Sequence, residues 1–128
     1  MRRVLSDGFL VSGTINAGDT TVIKVALMGS NGKAKVIVGE AAGDERICRV
    51  SSAARLGDDI AVVDDNCRSL LVWKRDGAFV GKIDVEALTG LRLVPLVLET
   101  GRDDAYLIGS VEDHKDRYVG VIIRLVGY

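Results

Sequence analysis

The apolar residues of this chain fall into short runs, and Gly, Asp, Asn or Ser bounds nearly every run. No long segment follows the 3.6-residue period of an amphipathic helix. Short apolar runs between turn-forming residues are typical of β-strands joined by tight turns. The sequence therefore predicts an all-β fold, in which only 84–91 ("DVEALTGL") competes as a single helical turn. The predicted strands are 9–15, 20–28, 33–39, 46–50, 59–64, 69–74, 78–85, 92–99, 105–111 and 117–126.

The strands recur in a fixed order along the chain. An acidic turn precedes an apolar strand at 7–11, 58–62 and 103–107, with offsets of 51 and 45 residues. A period in this range, built from several strands, is typical of a β-propeller blade. We predict a single domain over 1–128, made of about three four-stranded antiparallel blades, with the third stopping before its outer strand. The approximate repeats are 1–44, 45–90 and 91–128, and the alternative is a ten-stranded β-barrel or sandwich.

The character of individual strands agrees with this interpretation. Inner strands of a blade are covered on both faces, so they read as nearly continuous apolar runs such as "IAVV", "SLLVW" and "VGVII". An outer strand alternates more, as "AFVGKIDV" does. The segments "SNGK" and "RDGA" contain the Asn-Gly and Asp-Gly dipeptides that favour hairpin turns. Trp73 lies inside an apolar run and is predicted to pack in the core.

One segment carries a more specific pattern. In residues 58–85, an apolar strand ends in Val-Asp and is followed by a polar loop. A second apolar strand, an Asp-Gly turn and an aromatic residue come next. The matching positions are Val63, Asp64, Leu70, Val72, Trp73, Asp76, Gly77 and Phe79. This pattern resembles one repeat of the NHL-type and related β-propellers. The segment departs at Cys67, where that family often has Asn, and at Ser69, where it often has Arg. The resemblance implies a propeller fold more than a function.

Three blades do not close a ring, because propellers have typically four to eight. An open array leaves two broad apolar faces and unpaired strand edges in water, which soluble monomers rarely tolerate. A twofold dimer of two three-blade halves is the simplest closure, since isologous dimers are the commonest assemblies. A partner protein that supplies further blades is the second possibility.

The charge balance limits the partners. Lys and Arg together number 17 against 18 Asp and Glu, and the net charge is −1. This argues against a nucleic-acid partner, which would favour a basic excess. No apolar stretch reaches the roughly 20 residues that span a bilayer. A secretory signal is also missing, so we expect a cytoplasmic, reducing location in which Cys48 and Cys67 form no disulfide, although a bond between them is conceivable.

The candidate binding residues lie in two loops between predicted strands or at the strand ends next to those loops. They are Asp64, Asp65, Arg68, Asp113, His114 and Arg117. His114, the single histidine, stands in "VEDHKDR", which is typical of a solvated hairpin tip. The acidic pairs at 58–59, 64–65 and 103–104 suit calcium in principle, yet Asp is also a preferred turn residue whose side chain bonds the backbone two residues on. We therefore assign no metal, no cofactor and no catalytic residue.

These features favour a non-enzymatic β-propeller-like module that serves as a binding or scaffold platform. Its ring would be completed by homodimerisation or by a partner chain. The rival function is a propeller-type metal-dependent hydrolase with an acidic site in the central channel. That rival needs several inward-facing ligands from different blades, and the chain has one histidine to offer.

Overall fold

A computed structural model describes residues 3–5, 8–101 and 104–126 of the chain. The described residues form three antiparallel sheets, in each of which the strands lie side by side in chain order. Sheet I contains β1 (Arg3–Leu5), β2 (Gly8–Ala17), β3 (Thr20–Met28) and β4 (Ala34–Val38). Sheet II contains β5 (Val50–Leu56), β6 (Asp59–Asp64), β7 (Ser69–Trp73) and β8 (Phe79–Asp84). Sheet III contains β9 (Leu93–Thr100), β10 (Ala105–His114) and β11 (Arg117–Leu125), and a short helix α1 (Val85–Thr89) joins sheets II and III.

The prediction of an all-β fold with three antiparallel meanders is confirmed. The sheets are three in number and stay open, so neither the closed barrel nor the two layers of a sandwich describes them. In the described chain the third sheet has three strands, and the sheets meet through their faces.

One predicted strand is wrong, and another was missed. Residues 46–49 form a loop, and the strand begins only at Val50 and continues through "SSAARL". Ser and Ala are weak β-formers, so this stretch gave no strand signal. The short strand β1 was missed as well.

The two predicted hairpin turns are confirmed and have the same hydrogen bonds. In the first, the N–H of Gly29 donates to the carbonyl of Lys33, and the N–H of Gly32 donates to the carbonyl of Gly29. In the second, Lys74 donates to Ala78 and Gly77 to Lys74 in the same way. The glycines at these turns have φ of 78° and 98°, values that side chains disfavour. An Asn31 or Asp76 oxygen completes each turn by accepting a backbone N–H two residues on.

The helical turn proposed at 84–91 is also present. Asp84 is its N-cap, and one carboxylate oxygen accepts the N–H groups of Glu86 and Ala87 at 2.9 and 3.2 Å. Gly90 ends the helix in the left-handed conformation, with φ of 72°. Asp at the N-cap and Gly at the C-cap are the favoured residues for these positions.

The core consists of two layers on opposite faces of sheet II. One layer packs sheet II against sheet I and includes Leu71 and Trp73, whose ring lies 5.5 Å from that of Phe79. The other layer packs sheet II against sheet III and includes Leu70 and Val63. Each residue of β7 is buried, as the continuous apolar run predicted. The similar run in β11 differs, because its first four residues are exposed and every second residue after them is exposed as well. It lies in an end sheet that has only one covered face.

The strand β5 brings the three sheets together. It lies against β9 of sheet III and β2 of sheet I. Its centre consists of Ser51, Ser52, Ala53 and Ala54, small residues that let neighbouring backbones approach. The Ser52 hydroxyl oxygen accepts the N–H of Leu98 at 3.4 Å, which links β5 to β9 inside the core.

None of the helices in the described part of the chain has the length and apolarity that a bilayer crossing requires.

Shortening either Leu70 or Leu71 tests whether both faces of sheet II are core. Each side chain is at most 1% exposed, so Leu70→Ala and Leu71→Ala are each expected to lower the free energy of unfolding. The expected loss is about 2–5 kcal/mol for each, because a buried cavity remains. Urea denaturation measures it, with Val80→Ala on the exposed side of β8 as the control. A loss confined to one of the two leucines would contradict the two-layer core.

Candidate functional site

A cleft of about 320 Å³ opens where loops of sheets II and III meet. Three separate segments line it: the β6–β7 turn, the start of β9 and the β10–β11 hairpin. The lining residues are Arg68, Arg92, Val94, Glu112, His114, Lys115 and Tyr118. This volume is near the lower end of the range for small-molecule sites. Most of the groups that line the cleft are cationic or polar.

The β6–β7 turn is held by the buried carboxylate of Asp64. This side chain is fully buried, yet both of its oxygens are satisfied. One oxygen accepts the N–H of Cys48 at 2.7 Å. The other accepts the N–H groups of Arg49, Asn66 and Cys67 at 3.3, 3.1 and 2.9 Å. Four donors satisfy this buried carboxylate and fix the turn against the loop that precedes β5.

A disulfide bond reinforces the same junction. Cys48 and Cys67 are bonded, with their Cα atoms 6.0 Å apart. The bond connects the loop before β5 to the β6–β7 turn, and the N–H groups of both cysteines also donate to Asp64. The expectation that these cysteines form no disulfide is wrong. It rested on an expected reducing location, whereas the chain folds both residues into bonding distance.

The backbone of Arg68 is fixed by the residues on either side of it. Its φ is 51°, in the left-handed region that non-glycine residues rarely adopt. Its carbonyl accepts the N–H of Val85 at 3.1 Å, which joins the turn to the start of α1. Cys67, immediately before it, is held by the disulfide and by Asp64. The half-buried side chain of Arg68 therefore projects from a rigid turn at the edge of the cleft.

Asp65 lies outside the cleft and forms a bidentate ion pair with Arg49. The Asp65 oxygens lie 2.7 and 2.8 Å from the Nε and Nη2 atoms of Arg49. The hydrogen bond to Asp65, together with the charge of that carboxylate, raises the pKa of Arg49 above its ordinary value. Arg49 is exposed, so this pair positions the loop more than it stabilises the fold.

The structure places two of the six candidate residues, Arg68 and His114, in the cleft. Asp64 and Asp65 lie in the adjoining turn, where they hold the backbone and Arg49. Arg117 is paired in register with His114 at the start of β11, and it is not among the lining residues. The backbone of Asp113 lies in β10, and its side chain falls outside the described residues.

Sequence reasoning missed several cleft residues. Glu112 and Lys115 stand in the segment that was singled out for His114, and Tyr118 follows in β11. Arg92 carries no local signal, because only the packing of α1 and β9 against sheet II brings it to the cleft.

Of the described acidic pairs, 64–65 shows the backbone hydrogen bond expected of a turn residue, whereas Asp59 lies in strand β6. Asp64 accepts the N–H of Asn66 two residues on, as an Asp in a turn does. Asp58 pairs with Arg55 at 3.4 Å, and Asp104 pairs with Arg124 at 2.8 Å. Asp7, Arg102 and Asp103 lie outside the described residues.

Among the described residues, the one group with three potential metal ligands consists of Cys48, Asp64 and Cys67, whose ligand atoms lie within 4.8 Å of one another. The two sulfur atoms are bonded to each other, and the carboxylate accepts four N–H groups. These ligand atoms are therefore engaged within the protein.

Comparison of the chain with protein-family models, with curated proteins and with solved structures gave no significant match.

Removing the Asp64 carboxylate tests its structural role. Asp64→Ala leaves four N–H groups without their acceptor, so we expect the free energy of unfolding to fall by about 3 kcal/mol. Urea denaturation measures the loss. Asp58→Ala is the matched control, because that carboxylate side chain is 95% exposed and should contribute little. Equal losses in the two variants would show that the four hydrogen bonds do not account for the fall in the free energy of unfolding.

Replacing both cysteines tests the disulfide. The bond closes a loop with a sequence separation of 19, and the double variant Cys48→Ser, Cys67→Ser should unfold more easily. We expect a loss of about 2–4 kcal/mol, because the cross-link restricts the unfolded chain. Reductant should bring the wild-type protein to the same stability and leave the double variant unchanged. Thiol titration that finds free cysteines in the unreduced, denatured protein would contradict the bond.

Proposed function

We propose that the chain is a binding and scaffold module of the β-propeller type whose ring is completed by a second copy of itself. The observation that carries this proposal is the unequal covering of the three sheets. Strands β6 and β7 of sheet II are covered on both faces, whereas sheets I and III each have one covered face and one face that exposes a row of apolar side chains to solvent.

The exposed face of sheet I carries an apolar row across three strands. Val11 of β2 pairs with Ala26 of β3, which pairs with Ile37 of β4. Val11 and Ile37 are 38% and 55% exposed. The row borders a shallow depression of about 190 Å³ that is also lined by Ile15 and Met28.

The exposed face of sheet III carries a corresponding row. Val97 of β9 pairs with Ile108 of β10, which pairs with Ile122 of β11. Ile122 is 69% exposed. Tyr106, two residues from Ile108 on the same face of β10, extends the apolar surface.

A second copy is the occupant that these faces fit best. Sheet II already packs apolar faces of this kind against both neighbours, so packing sheet III on sheet I of another copy continues the same stack. A twofold arrangement makes this contact twice and covers both faces of each chain, giving six sheets, within the range of closed propellers.

The matched turns support a repeated architecture. The turns at 29–33 and 74–78 join the third and fourth strands of sheets I and II with the same hydrogen bonds. The segments aligned in the sequence also begin equivalent strands, since Gly8, Asp59 and Ala105 each start the second strand of a sheet. This regularity favours successive blades over three unrelated meanders.

A cytoplasmic location stays a prediction. The Cys48–Cys67 bond weighs against it, because disulfides persist mainly in oxidising compartments.

Light scattering coupled to size-exclusion chromatography tests the second copy. We expect the wild-type protein to have twice the mass of one chain at micromolar concentration. Ile37→Lys and Ile122→Lys should each give a monomer, because either change places an unpaired charge in both contacts. Val80→Lys is the control, since Val80 is 53% exposed on β8 and lies outside both rows. A wild-type monomer that stays in solution, or dissociation by Val80→Lys alone, would overturn the proposal.

A further inference from the structure

We propose that the cleft between sheets II and III binds the oxyanion group, phosphate or carboxylate, of a small ligand. This inference rests on the proposed function, because it assigns a ligand to the proposed binding module. It does not depend on the second copy, because all lining residues belong to one chain.

The charges of the cleft favour an anion. Arg68, Arg92 and Lys115 contribute three positive charges, and Glu112 contributes one described negative charge. The Glu112 carboxylate already accepts the N–H of Asp116 at 3.2 Å within its own hairpin. Since the whole chain has a net charge of −1, the positive charge here is a local concentration and not a general property of the surface.

The cationic side chains of the cleft keep their donors available. Arg49, Arg55 and Arg124 each pair with a carboxylate elsewhere in the molecule. In the described part of the chain, no carboxylate forms an ion pair with Arg68, Arg92 or Lys115. Guanidinium groups offer a planar fork of donors that matches the geometry of phosphate and carboxylate.

The cleft is also organised before any ligand arrives. The Arg68 backbone is held by the Asp64 hydrogen bonds, the disulfide and the bond from Val85 to its carbonyl. Lys115 lies in a two-residue hairpin whose second residue, Asp116, has φ of 62°. Fixed backbones at these positions reduce the ordering that binding requires.

The size and lining of the cleft define the ligand class. A volume of about 320 Å³ suits a small molecule, not a folded macromolecule. Val94 and Tyr118 add apolar surface beside the charged groups, and Tyr118 adds a hydroxyl. A small organic molecule with at least one phosphate or carboxylate group meets these requirements. The low sequence pI of 5.8 argues against a nucleic acid, which binds mainly through a broad basic surface.

Isothermal titration calorimetry on the full chain tests the cleft, with pyrophosphate and citrate as separate probes at low ionic strength. We expect saturable binding of at least one probe, with a Kd of about 1 mM or tighter. Pyrophosphate alone would assign the site to phosphates, citrate alone to carboxylates, and both to the shared oxyanion chemistry. Arg92→Gln should weaken binding by about tenfold or more, the equivalent of one charge-assisted contact. Arg68→Lys should also weaken binding, because it keeps the charge and loses the fork.

Lys82→Gln is the matched control, because it removes one exposed positive charge on β8, outside the cleft. It should leave the Kd unchanged. Binding of neither probe, or equal weakening by Lys82→Gln and Arg92→Gln, would overturn the inference. Light scattering on the same samples keeps this result separate from the proposed dimer, since the Arg92→Gln protein should have the same mass as the wild-type protein whether or not it binds the probes.

Discussion

The burial of sheet II on both faces is the constraint on which the rest of the structure depends. Most of its apolar side chains pack against sheet I or sheet III, so neither outer sheet can leave without exposing core. The small residues of β5 allow this close stacking, because bulkier side chains would hold β2 and β9 apart. This arrangement leaves the outer faces of sheets I and III uncovered. A stack of three sheets always has two ends, and here both ends are apolar.

The loop end of the molecule depends on a different interaction, the hydrogen bonding of one buried carboxylate. Asp64 is fully buried with four backbone donors, and it organises the turn that carries Arg68. Binding residues placed on loops need such support from a rigid scaffold. The same turn therefore separates two roles. Asp64 maintains the backbone, and Arg68 is directed to the cleft.

Much of the fold was predictable because the signals were local. The Asn-Gly and Asp-Gly turns, the capped helix after Asp84 and the continuous apolar runs of β6 and β7 all follow from neighbouring residues. The strand β5 escaped prediction because Ser51–Ala54 suits a crowded centre and not an isolated strand. The exposed face of β11 also escaped, since a run of valines and isoleucines does not reveal whether its sheet lies inside the stack or at its end.

The candidate site was less predictable, because it depends on contacts between distant segments. His114 and Arg68 were recognisable as loop residues, but nothing in the sequence placed them in one cleft with Arg92. The cysteines show the same limit. Their separation of 19 residues permits a bond, and only the fold brings Cys48 beside the β6–β7 turn.

That covalent link also changes how the molecule would respond to mechanical force. Tension applied along the backbone from the two ends would pass from Cys48 to Cys67 through the sulfur atoms, bypassing the polypeptide between them. The β5–β6 hairpin lies wholly inside this bypassed segment, so the tension would not pass along its backbone. The most central hairpin of the molecule is thus shielded from stretching by a single bond at its base.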